Sequence, residues 1–173
     1  MVDWYNFHRD VCAQYFLDNP VQVGGVGKVV EIDESKFGKR FGGVERGSKD
    51  AFMVEVNDRS AATLLPIIQR YIRPGTTVIS DEWRAYSRIP TLGMAHESVN
   101  HSINFVDPLT GAHTQTIEST WSHVKKMMRK QGVDSTSEEL FQTYLPDYLW
   151  RRKFKEQDPF LTIYQHIKEQ YPC

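Results

Sequence analysis

The chain has 173 residues and 20.1 kDa, enough for one ordinary domain to bury a core without disulfides or a structural metal. Hydrophobic residues at 40%, aromatic residues at 12% and charged residues at 25% exclude a mostly disordered chain. With 21 basic and 22 acidic residues the formal charge is −1, so any nucleic-acid role must rest on local clusters rather than on a basic surface as a whole.

Residues 3–17 place Trp4, Phe7, Val11, Tyr15 and Phe16 at steps of three and four, which predicts an amphipathic packing helix ended by Asn19-Pro20. The glycine-rich stretch 21–28 precedes the strand-like run Val29-Val30-Glu31-Ile32-Asp33. A phosphate-binding loop follows its strand and opens a helix, so Gly25-Val26-Gly27 reads as a linker. Residues 41–46 and 51–56 are two further strands joined by the turn formers Gly47-Ser48-Lys49-Asp50, giving three adjacent antiparallel strands. From Ser60 the pattern is helical, with Leu64, Ile67, Ile68, Tyr71 and Ile72 on one side. Pro66 is tolerable if the regular part begins near Thr63, and Pro74-Gly75 stops the helix. Thr76-Thr77-Val78-Ile79-Ser80 is a short buried strand running into Asp81, and a helix followed by such a strand predicts a parallel crossover. Residues 97–104 form another strand candidate, followed by a turn at 107–111. Ile117, Trp121, Val124 and Met128 then mark a helix with Gly132 as its stop. Residues 137–171 hold two helices broken around Gln157-Asp158-Pro159.

Cys12 and Cys173 are the only cysteines, one near each end, so no zinc-ligand spacing and no disulfide framework is visible, and a reducing intracellular compartment is expected. No run of about 18 apolar residues occurs, and the start carries no export signal, which predicts a soluble protein without a membrane partner.

Three acids fall where this order of elements would bring them together: Asp33 in the first long strand, Asp81 at the end of the later one, and Glu118 in the helix after residue 111. Hard carboxylate oxygens so placed can hold two Mg²⁺ or Mn²⁺ ions about 3.5–4 Å apart, one activating an attacking oxygen and one stabilising the leaving oxygen of a phosphodiester. Lys125 lies nearly two helical turns after Glu118 and projects from about the same side, where a cation could hold phosphate.

These residues resemble the DDE-type transposases of insertion sequences, and within them the ISXO-type group. The matching stretches are Val30-Glu31-Ile32-Asp33-Glu34, Pro74-Gly75 with Ser80-Asp81-Glu82-Trp83-Arg84-Ala85-Tyr86, Val99-Asn100-His101-Ser102 with Phe105-Val106-Asp107-Pro108, and residues 111–121 with Lys125-Lys126. The resemblance spans residues 24–155. It implies an α/β, RNase H-like mixed five-stranded sheet flanked by helices, with Asp33, Asp81 and Glu118 as catalytic metal ligands for cutting DNA and joining it to a target. Extra helices then occupy both ends: 1–23 a helical segment and linker, 24–136 the catalytic domain, 137–173 a helical extension. It further implies that His101 and His113 support the site or help bind DNA, and that the chain self-associates on paired DNA ends.

Two departures stand out. The group usually carries a zinc ribbon or similar DNA-binding segment ahead of the catalytic domain, and a longer basic stretch between the first two strands. Here a short cysteine-poor stretch precedes the domain, and Phe37-Gly38-Lys39-Arg40 runs almost directly into Phe41. These features fit a shortened or domesticated copy, or one piece of a larger product.

Each residue also has a plainer reading. A single aspartate at a strand end is more often a turn former or helix cap, and only the ordered set favours metal. Glu34 and Glu82 carry little weight as ligands. Trp83 and Trp121 read first as core anchors, although Trp83 is also placed to stack on a base. His96, His101, His113 and His123 are irregularly spaced and lack a cysteine partner, against a zinc site. Lys125, Lys126, Arg129 and Lys130, with a second cluster at Arg151, Arg152, Lys153 and Lys155, are either solvated helix ends or a phosphate track for DNA. The leading expectation is a metal-dependent transposase acting with chromosomal DNA, in a nucleus or a bacterial nucleoid. The alternatives are a catalytically inactive DNA-binding or protein-interaction descendant, and a nuclease without strand transfer.

Overall fold

The computed structural model describes residues 2–35, 39–99, 106, 111–132 and 138–172. The elements in chain order are α1 (Val2–Asp18), β1 (Val23–Gly24), β2 (Val29–Ser35), β3 (Arg40–Glu45), β4 (Ala51–Glu55), α2 (Ala61–Tyr71), β5 (Ile72–Arg73) and β6 (Thr77–Asp81). A 3₁₀ helix (Arg84–Leu92), β7 (Ala95–Val99), α3 (Gln115–Lys130), α4 (Glu138–Lys153) and α5 (Pro159–Gln170) complete the chain. They form two compact units, residues 22–123 and residues 1–21 with 124–173. Among the described residues, no helix is long and apolar enough to cross a membrane.

The first unit is built on a mixed five-stranded sheet of order β4-β3-β2-β6-β7, the arrangement of an RNase H-like fold. β2, β3 and β4 are antiparallel neighbours, as the turn residues predict, and β6 joins β2 in parallel after the α2 crossover, with β7 parallel outside it. Side chains alternate between faces along each strand, so register decides which residues meet. Glu31 and Asp33 of β2, Gly42 and Val44 of β3 and Ile79 and Asp81 of β6 share one face, on which Ile79, Val99 and Ala112 pack together. Val30, Ile32 and Glu34 share the other with Phe41 and Gly43. There Phe41 lies against Phe52 and Tyr86, and Phe52 stacks on Tyr71 of α2 at 4.8 Å.

Several local departures from the sequence reading have physical causes. α2 begins at Ala61, ahead of Thr63, because Ser60 caps it by accepting from the Thr63 amide, and Pro66 sits within its second turn. The presumed glycine linker contributes a two-residue strand, β1, which pairs in parallel with β5. The 3₁₀ helix has no counterpart in the periodicity, since Pro90 and three-residue turns break the α-helical pattern. β7 starts at Ala95 rather than residue 97, and residues 100–104 of that expected strand lie outside the described residues.

In the second unit α1, α4 and α5 pack through aromatic rings. The Trp150 indole N–H donates to His166 Nδ1 at 3.0 Å, and Tyr15 and Phe154 lie against the same imidazole. The break between the last two helices falls at Asp158, which caps α5 by accepting from the Phe160 and Leu161 amides, with Pro159 at its first position.

Candidate active site

Parallel pairing of β2 with β6 sets Val29 opposite Thr77, Val30 opposite Val78 and Glu31 opposite Ile79. Two residues further along each strand stand Asp33 and Asp81, level with one another and directed to the same face at the carboxyl ends of adjacent strands.

Glu31, fully buried on that face, fixes the third element. Its carboxylate accepts from the Thr116 amide at 2.8 Å, the Thr116 hydroxyl at 2.8 Å and the Ile117 amide at 3.1 Å, so it satisfies the otherwise unpaired amides at the start of α3 and complements the helix dipole. Arg46 closes the clamp, its Nε donating to Glu31 at 2.6 Å and its Nη2 to the His113 carbonyl at 2.7 Å. Gly42, paired with Asp33, leaves room for the helix: a Cβ there would stand 3.0 Å from the Trp121 ring. The first turn of α3 thereby carries Glu118 to the aspartates, and the buried Thr114 hydroxyl donates to Glu118 Oε1 at 2.7 Å, orienting its carboxylate.

The charges around Asp33 agree with this placement. Burial, then the charges of Glu34, Asp81 and Glu118, push the Asp33 carboxyl up to about 7, against a smaller opposing hydrogen bond from the Glu34 backbone. A buried carboxyl whose proton affinity is raised by two neighbouring carboxylates fits a divalent cation, whose charge would relieve the repulsion with hard oxygen ligands. The three do not offer ligand atoms all within 4.8 Å of one another; among the described residues His8, Cys12 and Asp147 do.

On the opposite face, buried Glu34 forms an ion pair with Arg59 at 3.0 Å, and burial followed by the charge of Glu34 raises the Tyr86 hydroxyl well above its ordinary range. Arg59 lies over the Trp83 ring at 5.2 Å, while the Trp83 indole donates to the Arg59 carbonyl at 3.0 Å and the Trp83 amide to Asp81 Oδ1 at 3.2 Å. Trp83 is 45% exposed and is no core anchor; Trp121 is one, at 3%. His113 is half-buried with Nδ1 3.5 Å from Glu31. His101 lies outside the described residues. Lys125 is partly exposed seven residues after Glu118 on α3, and Lys126, Arg129 and Lys130 are exposed further along it. The roles of Glu31, Thr114 and Arg59 went unread in the sequence. For Glu31 the signal existed, an acid two residues before Asp33 in an otherwise apolar strand and therefore on the same face.

Residues 29–153 match the model of the ISXO2-like transposase domain. The chain is also similar to an uncharacterized transposase-like protein of Haemophilus influenzae, at 30% identity over 116 residues, covering 67% of this chain and 91% of that protein.

Proposed function

Because this chain belongs to the ISXO2-like transposase family, we propose that it is a metal-dependent DDE transposase catalytic domain that cleaves DNA strands and joins the ends to a target. The observation that carries the reading is the placement of the three acids: the β2–β6 register sets Asp33 level with Asp81 on one face, and the Glu31 contacts seat the start of α3, which carries Glu118, so that both neighbours raise the Asp33 pKa. Asp33, Asp81 and Glu118 would hold two Mg²⁺ or Mn²⁺ ions, which when bound supply activation of the attacking oxygen and stabilisation of the leaving oxygen. The protein's own contribution is positioning. Glu31 and Arg46 seat the start of α3, Thr114 aims Glu118, and the Trp83 amide steadies Asp81. A water and then a DNA 3′-hydroxyl attack phosphodiesters in line. Lys125, Lys126, Arg129 and Lys130 take phosphates, and the exposed ring of Trp83 offers a stacking surface beside the site. The family resemblance supports assembly of several copies on paired ends, and action on chromosomal DNA.

The test is Mg²⁺- or Mn²⁺-dependent nicking and joining of short duplexes carrying candidate terminal repeats, comparing the chain with Asp81→Asn. Activity in the first and its loss in the second is expected. Equal activity in both, or none in either, removes the catalytic reading and leaves a DNA- or protein-binding descendant of the fold. Metal-dependent nicking without joining identifies a nuclease.

A further inference from the structure

The helical unit of residues 1–21 and 124–173 assembles three metal-ligating side chains of different chemistry. His8 and Cys12 stand one turn apart on α1, and Asp147 meets them from α4. His8 Nδ1 lies 3.8 Å from Cys12 Sγ and 3.5 Å from Asp147 Oδ1, and one ligand atom from each of the three residues lies within 4.8 Å of the others. Cys12 and Asp147 are buried, while His8 keeps about a quarter of its side chain at the surface, an entry path for an ion.

We infer that His8, Cys12 and Asp147 form a zinc site that ties α1 to α4. A tetrahedral zinc ion, with Zn–S about 2.3 Å and Zn–N or Zn–O about 2.0–2.1 Å, sets separations of about 3.6 Å between sulfur and nitrogen and about 3.4 Å between nitrogen and oxygen. The sulfur–nitrogen and nitrogen–oxygen spacings are within a few tenths of an ångström of these, and the sulfur–carboxylate separation lies within 4.8 Å, so side-chain adjustments close the site. Arg151 donates from Nε to Asp147 Oδ1 at 2.7 Å, the outer hydrogen bond that holds a ligating carboxylate in place. Thiolate, imidazole and carboxylate together select Zn²⁺ over the hard ions proposed for Asp33, Asp81 and Glu118. Binding releases the Cys12 thiol proton to solvent, and water completes the fourth position. The cluster escapes sequence inspection because the cysteine has no cysteine partner and the carboxylate arrives from a distant helix.

Cobalt substitution in the full chain, stripped with chelator and titrated with Co²⁺, tests the site, since a bound thiolate gives a near-ultraviolet charge-transfer band that oxygen ligands do not. One equivalent of Co²⁺ should produce the band and Zn²⁺ should displace it. Cys12→Ser should abolish it, whereas Cys173→Ser and Asp81→Asn should leave it intact. His8→Gln, at a partly exposed position, should weaken Zn²⁺ binding by at least about tenfold, and it decides the matter if Cys12→Ser does not fold. Absence of the band in the unaltered chain, its persistence in Cys12→Ser, or unchanged Zn²⁺ affinity in His8→Gln overturns the assignment.

Discussion

Without divalent ions, Asp33 is a destabilising group whose effect depends on pH. Its folded pKa of about 7 lies above the ordinary 3.8, so between those values the native state binds more protons than the unfolded chain and stability falls as pH rises, levelling off above about 7. At about 1.36 kcal/mol per unit the ceiling is about 4 kcal/mol. Half-buried His96 and buried His166, whose pKa values are lowered by burial, act in the opposite sense and lose stability as pH falls. The comparison with Asp33→Asn therefore isolates the carboxylate. In chelator, thermal denaturation of Asp33→Asn should show a Tm advantage over the unaltered chain at pH 8 that shrinks at pH 5, and Mn²⁺ should raise Tm at pH 8 in the unaltered chain only. Parallel pH profiles for the two proteins contradict this. Glu31→Gln makes a second residue-scale prediction. It keeps the shape but removes the charge that Arg46 and the start of α3 both use, so urea denaturation should show a loss of about 3 kcal/mol, with strand cleavage reduced by tenfold or more.

Between β3 and α3 the spacing is set by a missing side chain. A Cβ on Gly42 would stand 3.0 Å from Trp121 Cζ2, 3.0 Å from the Phe52 carbonyl and 3.1 Å from Met53 Cγ, too close for the packing to absorb without movement. Gly42→Val should cost about 1–3 kcal/mol and reduce cleavage by shifting Glu118, read as a lower urea midpoint with a changed Trp fluorescence spectrum. A variant with unaltered stability and activity would show that the helix is seated by something else. The same elements show what was legible beforehand. β2, β3, β4, α2 and β6 announced themselves through β-branched runs, turn residues and a helical stripe, because each buries one continuous apolar surface. β1 and β5 are too short to carry a period, and the 3₁₀ helix has no standard one. Asp33, Asp81 and Glu118 were readable as an ordered set, while the groups that hold them were not. Glu31 and Arg59 act through contacts between chain-distant elements, and Thr114 through a local contact four residues before Glu118 whose role shows only once α3 is placed beside the strands.

With a net charge of −1, the proposed DNA binding is a matter of charge distribution. Lys126, Arg129 and Lys130 are exposed on α3, and phosphate neutralisation by them should appear in the salt dependence of binding. Replacing all three with Ala should flatten the slope of log K against log salt by about 2–3, with weaker binding to every duplex tested, whereas Asp81→Asn in chelator should leave the slope unchanged. An unaltered slope in the triple variant would place the phosphate track elsewhere.

The pairing of β2 with β6 also governs which changes of length the gene can tolerate. An insertion in the 47–50 turn acts on the β3–β4 hairpin and leaves the β2–β6 pairing that aligns the aspartates untouched. A single codon inserted between Thr77 and Asp81 is different in kind. It reverses the alternation, turns Asp81 toward the face that holds Glu34 and Arg59, and separates it from Asp33 without changing any functional residue. The site is thus kept by counting as much as by chemistry, and frame-preserving insertions of one residue in β6 should be as damaging to this protein as loss of the aspartate itself.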